Sequence, residues 1–205
     1  PLVPHHGVAE DPCLTFSVGM RAPSSAELMG DWLDEVLQDA DEAIRYHDED
    51  LAVPADPNEI DVAAMNRVVD ALNAIRMNDP DRLGDWFGRF ITTYRAAGDV
   101  VPRGDERPRI ELEWDLAHGG ALERHPWARM AWRRNHGSRH ASLFCSGRTL
   151  HLPVADARLL ADSPVLDGAA WDSLSAAGRD AVFELHQAGF YALLGEDPDE
   201  GDEDA

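Results

Sequence analysis

The 205-residue sequence predicts an α+β fold in which a strand, a set of helices and a mixed region follow one another. Residues 13–21 alternate apolar and polar side chains, which is the period of a half-buried strand. Residues 24–97 instead repeat apolar side chains at helical spacing. Beyond residue 109, short apolar runs alternate with polar turns, which indicates a small sheet flanked by helices.

Three amphipathic helices are predicted between residues 24 and 97. The first begins at the hydroxyl cap Ser24-Ser25, with Glu27 behind it, and its apolar spacing continues to residue 44. The second spans residues 60–75, and the third begins at Pro80, where a missing backbone N–H is harmless. The three helices could pack on one another or against the same surface of a second copy. The aromatic residues of the third helix favour additional burial, which suggests a dimer.

The C-terminal half has the pattern of a compact helix–sheet domain. Residues 98–109 are predicted to be a linker because Gly, Pro and charged residues dominate them. We then expect helices at 110–117, 155–160 and 175–190, and strands at 126–133, 141–145 and 149–152. This order suggests a winged-helix-like domain over residues 101–195. The last ten residues carry seven acids, and we expect this tail, 196–205, to be disordered.

The charge balance limits what the chain can bind. Its 18 Lys+Arg and 39 Asp+Glu give 18 − 39 = −21. Such a surface makes nucleic acid an unfavourable partner, since affinity for it comes largely from cations that neutralise phosphates. No apolar run approaches the roughly 18 residues that span a bilayer, so no membrane contact is expected. The two cysteines, Cys13 and Cys145, lie far apart, which favours a reduced, cytoplasmic setting.

Few residues are arranged for chemistry. No nucleophile triad, phosphate-binding glycine loop or pair of carboxylates on one face is evident, so no catalytic residue is predicted. His136 and His140 have a metal-type spacing, but their turn lacks an acid, and a solvated turn is favoured. His5 differs because small hydroxyl side chains, Thr15 and Ser17, follow on a strand. Spacing by itself still favours an ordinary surface histidine there.

Three segments of the chain carry motifs of one protein family. Residues 4–11 are Pro-His-His-Gly-Val-Ala-Glu-Asp, and residues 15–23 are Thr-Phe-Ser-Val-Gly-Met-Arg-Ala-Pro. Both segments resemble the end of the cupin domain in the bacterial JmjC-type ribosomal oxygenases of the cupin superfamily. Residues 85–91, Asp-Trp-Phe-Gly-Arg-Phe-Ile, look like that family's Trp-Phe-Gly-x-Phe helix. The resemblance implies that residues 1–22 end a JmjC/cupin double-stranded β-helix. It also implies a helical dimerisation domain over residues 23–100, followed by a winged-helix domain.

The resemblance implies an Fe(II)- and 2-oxoglutarate-dependent hydroxylase that acts on an arginine side chain of a large-subunit ribosomal protein. Carried over by motif, His5 would be the distal iron ligand, and Ser17 would help hold the distal carboxylate of 2-oxoglutarate. His6 stands where the family has Glu or Asp, so either histidine could be the ligand, and the Pro-His spacing favours His5.

The family's His-x-Asp pair, which supplies the other two iron ligands, is absent from these 205 residues. A 2-His-1-carboxylate site needs all three ligands. The chain also opens on a proline inside structured-looking sequence. We therefore expect the C-terminal part of a longer enzyme, which by itself does not bind iron competently.

Two alternatives remain beside the hydroxylase. In the first, a non-catalytic module dimerises through residues 24–97 and its acidic surface binds a basic partner. A homodimer and an acidic rim also suit the hydroxylase, because ribosomal proteins are basic and would be steered to it. The weaker alternative is DNA binding by the winged helix, since residues 110–150 hold six arginines against four acids.

Overall fold

The computed structural model describes residues 11–12, 22–41, 43, 45–47, 56, 58–75, 79–94 and 107–195. The predicted strand at 13–21 and the tail at 196–205 lie outside the described residues, as does most of the predicted linker. His5, His6 and Ser17 lie outside them as well. The described residues form a mixed helix and sheet structure, which confirms the predicted α+β class.

The three predicted helices of the N-terminal half are present as α1 (Ser25–Gln38), α2 (Val62–Asn73) and α3 (Pro80–Thr93). α1 begins with a capping box. The Glu27 backbone N–H donates to the Ser24 hydroxyl at 3.2 Å, and the Ser24 backbone N–H donates to the Glu27 carboxylate at 2.8 Å. Asp61 and Asp79 accept from the first turns of α2 and α3 in the same way.

The predicted continuation of the first helix to residue 44 was wrong. α1 ends at Gln38, and Asp39 is its C-cap. Beyond the cap, the Asp41 carboxylate accepts a hydrogen bond from the Ala43 N–H at 2.8 Å. Aspartate side chains that bond to nearby backbone in this way compete with the helical hydrogen bonds, which is why apolar spacing alone overestimated the length.

The C-terminal half adds four helices and six strands to the described part of the chain. In order, they are α4 (Arg109–Ala117), β1 (Ala121–Arg124), β2 (Met130–Arg134), β3 (His140–Cys145), β4 (Arg148–Pro153), α5 (Val154–Asp162), β5 (Val165–Asp167), α6 (Gly168–Ser173), α7 (Ala176–Gln187) and β6 (Tyr191–Leu193). The strands make two antiparallel sheets, ordered β2-β3-β4 and β5-β1-β6. The sequence predicted the first sheet and missed the second. It also began β2 four residues early, because residues 126–127 form a turn.

The β2-β3-β4 sheet separates two packed layers. Its inner face contributes Trp132, Leu143 and Cys145 to the main core, which is closed by α5 and α7. Its outer face carries Phe144, and α3 lies against that face. On its far side, α3 contributes Trp86 to a second, smaller core with α1. In the described ranges, no helix is long and apolar enough to cross a membrane.

Candidate functional site

The contact between α1 and α3 is held by polar bonds on one side. The Trp86 indole N–H donates to the Asp31 carboxylate at 2.7 Å. The Arg89 guanidinium donates to the Glu35 carboxylate at 2.6 Å, and the Arg82 guanidinium donates to the Glu35 backbone carbonyl at 2.7 Å. Because these bonds link carboxylates or carbonyls of α1 to donors of α3, they fix the relative position of the two helices.

A series of aromatic rings continues this contact along α3. The Trp32 and Trp86 ring centroids lie 5.2 Å apart, those of Trp86 and Phe90 lie 5.4 Å apart, and those of Phe90 and Tyr94 lie 5.1 Å apart. These separations are typical of favourable aromatic pairs. Trp32 and Trp86 are buried, so the rings form a rigid floor between the helices.

An apolar groove opens on the outside of this floor, between α1 and α3. Its volume is about 600 Å³. It is lined by Ser25, Leu28, Met29, Trp32, Pro80, Leu83, Gly84, Trp86, Phe87 and Arg133. Met29 and Phe87 stand at its mouth, and 58% and 43% of these residues' surfaces are exposed. We refer to these ten residues as the α1–α3 groove.

α2 presents a second apolar surface and has no buried residue. Its apolar side chains are exposed by 40% to 77%: Val62, Met65, Val68, Val69 and Leu72. Four of these five follow a spacing of three and four residues, so they lie on one face of the helix. We refer to the five as the α2 stripe. Of the 17 exposed large apolar side chains in the described residues, ten lie on α1, α2 and α3, so the exposed apolar surface is concentrated on these three helices.

α3 packs closely against the β2-β3-β4 sheet. A Cβ built on Gly88 would lie 2.3 Å from ring carbons of Phe144, so only glycine lets α3 approach the strand this far. The Arg133 guanidinium of β2 reaches the Asp81 carboxylate of α3 at 3.0 Å. The Gly147 N–H donates to the Thr92 hydroxyl at 3.0 Å. The groove therefore has a fixed position relative to the sheet.

Neither of the two predicted site residues is among the described residues. His5, Ser17 and the alternative ligand His6 lie outside the described residues. Among the residues that are described, no three His, Cys, Asp or Glu side chains are grouped to hold a metal ion. His136 lies exposed in the β2–β3 turn, and the exposed His140 begins β3, as expected for a solvated turn.

Three buried ionisable side chains, Cys145, Tyr191 and Asp156, have structural roles. Burial raises the pKa of the Cys145 thiol to about 12, and burial raises the pKa of the Tyr191 phenol as well. Both groups therefore stay protonated at neutral pH. The buried Asp156 carboxylate accepts from the Ser175 hydroxyl and, at 3.3 Å, from the Ser175 backbone N–H. These contacts tie α5 to the start of α7.

The close approach of α3 was not predicted from the sequence. Gly84 and Gly88 are one helical turn apart, and a Cβ on Gly84 would lie 2.6 Å from the Arg133 guanidinium. Two glycines at this spacing inside an amphipathic helix are a usable signal, because glycine is unfavourable in a helix unless packing requires it.

Comparison with known proteins finds one matching family model and similar proteins. A family model described as the ROXA-like winged helix matches residues 74–192. The ribosomal protein uL16 3-hydroxylase of Escherichia coli strain K12 is 32% identical over 124 residues, which are 60% of this chain and 33% of that protein. The chain thus spans about a third of its curated relative.

Solved structures of the Escherichia coli ribosomal oxygenase YcfD share the fold. One superposes with a TM-score of 0.68 at 23% identity and covers 84% of this chain and 47% of that chain. Another, in complex with cobalt and 2-oxoglutarate, has a TM-score of 0.67 at 24% identity, over 85% of this chain and 47% of that chain. This chain therefore corresponds to about half of the length of those proteins.

Proposed function

Because this chain belongs to the ROXA-like winged helix family, we propose that it is the C-terminal part of an Fe(II)- and 2-oxoglutarate-dependent hydroxylase. The proposed substrate is an arginine side chain of a large-subunit ribosomal protein. The observation that carries this proposal is the 32% identity with the uL16 3-hydroxylase. The complex of YcfD with cobalt and 2-oxoglutarate supports the use of a metal and this cosubstrate, since the two chains share a fold.

His5 and Ser17 are the residues of this chain that we assign to the metal and the cosubstrate. His5 is proposed as one ligand of a 2-His-1-carboxylate site, and Ser17 is proposed to hold the distal carboxylate of 2-oxoglutarate. The His-x-Asp pair that the resemblance implies does not occur in these 205 residues, so we propose that a part of the longer enzyme outside them supplies the other two ligands. When bound, the metal and 2-oxoglutarate would activate molecular oxygen, which is the oxidant and would supply the oxygen atom for hydroxylation of a C–H bond.

The described residues are proposed to provide dimerisation and substrate orientation. We propose a homodimer through residues 24–97, in which the α2 stripe and the α1–α3 groove are covered by the second copy. The exposed apolar side chains support this, because removing such surface from water stabilises an interface by about 25 cal/mol per Å². The net charge of −21 supports a basic substrate, since it would steer a ribosomal protein toward the dimer.

Mass spectrometry of ribosomal protein uL16 tests this function. The substrate would be incubated with the longer polypeptide that carries this chain, together with Fe(II) and 2-oxoglutarate. We expect the mass of one oxygen atom to be added to an arginine-containing peptide. Changing His5 to Ala should abolish this product, whereas the matched change His6→Ala should retain it. A product lost only in His6→Ala would move the ligand to His6 and leave the activity in place.

The alternative is a non-catalytic module that dimerises and binds a basic protein. It is favoured by the exposed apolar surface of α1, α2 and α3. The same assay separates the two proposals, because a binding module adds no oxygen to any ribosomal peptide and forms no succinate. That outcome, with a dimer still present, would make the module the better account.

A further inference from the structure

One segment of this acidic chain carries no acid at all. Residues 124–155 contain no Asp or Glu, and they hold six arginines and four histidines. The rest of the chain holds 18 − 6 = 12 basic residues and all 39 acidic ones, a balance of 12 − 39 = −27. The overall charge of −21 therefore conceals one basic stretch of the chain, which runs from the end of β1 through β2, β3 and β4.

Four of these six arginines are held by other parts of the chain. Arg124 donates to the backbone carbonyls of Leu160 and Ala161, and Arg129 donates to that of Tyr94. Arg133 pairs with the Asp81 carboxylate. Arg148 lies over the Phe190 ring and near the Glu184 carboxylate. Arg134 and Arg139 differ, because both are exposed and neither forms an ion pair or a side-chain hydrogen bond within the described ranges. These two are available to a ligand.

Arg134 and Arg139 stand on the two arms of the β2–β3 hairpin. Arg134 ends β2 opposite Ala141, and Arg139 immediately precedes β3. The Asn135 N–H donates to the His140 carbonyl at 3.2 Å and closes the hairpin. Between the arms, Gly137 turns the chain at φ +65°. His136 and His140 are exposed on the same hairpin, which we call the wing hairpin and define as residues 134–140.

We propose that the wing hairpin binds single-stranded RNA. Guanidinium groups bind phosphates through paired, charge-assisted hydrogen bonds, and Arg134 and Arg139 are placed to contact two phosphates. Imidazole rings stack on unpaired bases, which gives His136 and His140 a role in the same contact. An acidic peptide could also place carboxylates on the two arginines, but it has no bases on which the two rings could stack.

The charge of the remaining surface explains why a single strand is preferred over a duplex. A duplex presents a broad, uniformly negative face, which would meet the acidic surface around the hairpin. A flexible strand can touch the hairpin with a few nucleotides and leave the acids at a distance. At physiological salt the screening length is about 8 Å, so acids further away oppose such a local contact only weakly.

Fluorescence anisotropy of a labelled twelve-nucleotide oligouridine, titrated with the 205-residue chain, tests the proposal. Two phosphate contacts predict a slope of log K against log salt of about −1.4, at about 0.7 for each contact on a single strand. Affinity should therefore fall about sevenfold between 50 and 200 mM salt. The double variant Arg134→Ala/Arg139→Ala should abolish this salt-dependent binding.

The control is the double variant Arg45→Ala/Arg158→Ala, which changes the net charge by the same amount outside the hairpin and should bind RNA as the wild type does. His136→Ala/His140→Ala should weaken binding and leave the salt slope unchanged. All six positions are exposed, and thermal unfolding of each variant confirms that it folds.

Three results would overturn the proposal. The first is no anisotropy change with the wild-type chain at 50 mM salt. The second is an equal loss of binding in the control variant. The third is displacement of the RNA by poly-glutamate when its carboxylates are as concentrated as the RNA phosphates. This result would identify the hairpin as a binding surface for an acidic protein. None of these measurements depends on hydroxylase activity, so the outcome is separate from that of the proposed function.

Discussion

Replacing Gly88 by alanine tests whether α3 packs against the β2-β3-β4 sheet as described. The added Cβ would lie 2.3 Å from ring carbons of Phe144, and Phe144 is buried. Cβ contacts below 3.0 Å are essentially never seen, so the helix or the ring must move by about 1 Å. A movement of α3 by that distance also disturbs the 3.0 Å bond from the Gly147 N–H to the Thr92 hydroxyl.

Two opposing effects set the size of the change. Overpacking a buried contact costs about 1–3 kcal/mol, and weakening the Thr92 hydrogen bond costs about 1 kcal/mol more. Alanine is favoured over glycine inside a helix by about 1 kcal/mol. We therefore expect Gly88→Ala to lower the free energy of unfolding by about 2 kcal/mol. Gly30 is a matched control in α1, because a Cβ there meets nothing within 4 Å, and Gly30→Ala should stabilise the protein by about 0.5–1 kcal/mol.

Urea unfolding followed by circular dichroism measures both variants. The expected difference between them is about 3 kcal/mol, with opposite signs relative to the wild type. If Gly88→Ala were as stable as Gly30→Ala, α3 could not lie against Phe144 as described. The close approach of α3 to the sheet would then not require glycine at position 88.

Three further changes test the dimer surface, the main core and a buried polar contact. Val69→Glu places a charge within the α2 stripe and should convert the proposed dimer into a monomer in sedimentation velocity. Cys145 has a folded-state pKa raised from 9.0 to about 12, so the unfolded chain releases this proton first. Stability should be full below pH 9 and fall as pH rises toward 12, by up to about 1.4 kcal/mol per pH unit in urea titrations. Ser175→Ala removes the cap of α7 and a donor to Asp156, and should cost about 2–3 kcal/mol of unfolding free energy in the same assay.

Each of these three changes has its own control and its own refuting outcome. Val69→Ala keeps the surface apolar and should retain the dimer, and a dimer that survived Val69→Glu would exclude the α2 stripe as its interface. Cys145→Ala should reduce the alkaline fall in stability and leave the part that Tyr191 causes above pH 10, and an unchanged fall would assign it to other groups. Ser24→Ala removes an exposed cap and should cost only about 1 kcal/mol, so an equal cost for Ser175→Ala would mean that Asp156 adds nothing.

Elements with local signals were predicted well from the sequence. α3 begins at Pro80, as its spacing and the preceding Asp79 cap require. β3 and β4 were placed within a residue or so, because the turn at Ser146-Gly147 adopts the positive φ angles of a tight hairpin. The winged-helix prediction is confirmed by the matching family model. In each case, residues close together in sequence decide the structure.

The β5-β1-β6 sheet could not be predicted in this way. Its strands contain only three or four residues and show no long alternation. Leu122 of β1 pairs with Leu166 on one side and with Leu193 on the other. Backbone groups of such short strands find hydrogen-bond partners only after distant parts of the chain have packed together, so no local pattern records them. The requirement for glycine at position 88 could not be predicted either, because it arises from contact with Phe144, which is distant in the sequence.

The amphipathic helices, the acid-free segment and the assignment of His5 and Ser17 by motif follow from the sequence alone, because each depends only on residue types and their order. Which of the charged side chains form ion pairs and which stay exposed depends on the tertiary structure. Arg133 and Arg134 are identical residues and neighbours on β2, but consecutive side chains of a strand point to opposite faces. Arg133 lies on the face that α3 covers and meets Asp81 there. Arg134 lies on the opposite, core-facing side, but it is the last residue of β2 and is exposed beyond the edge of that core.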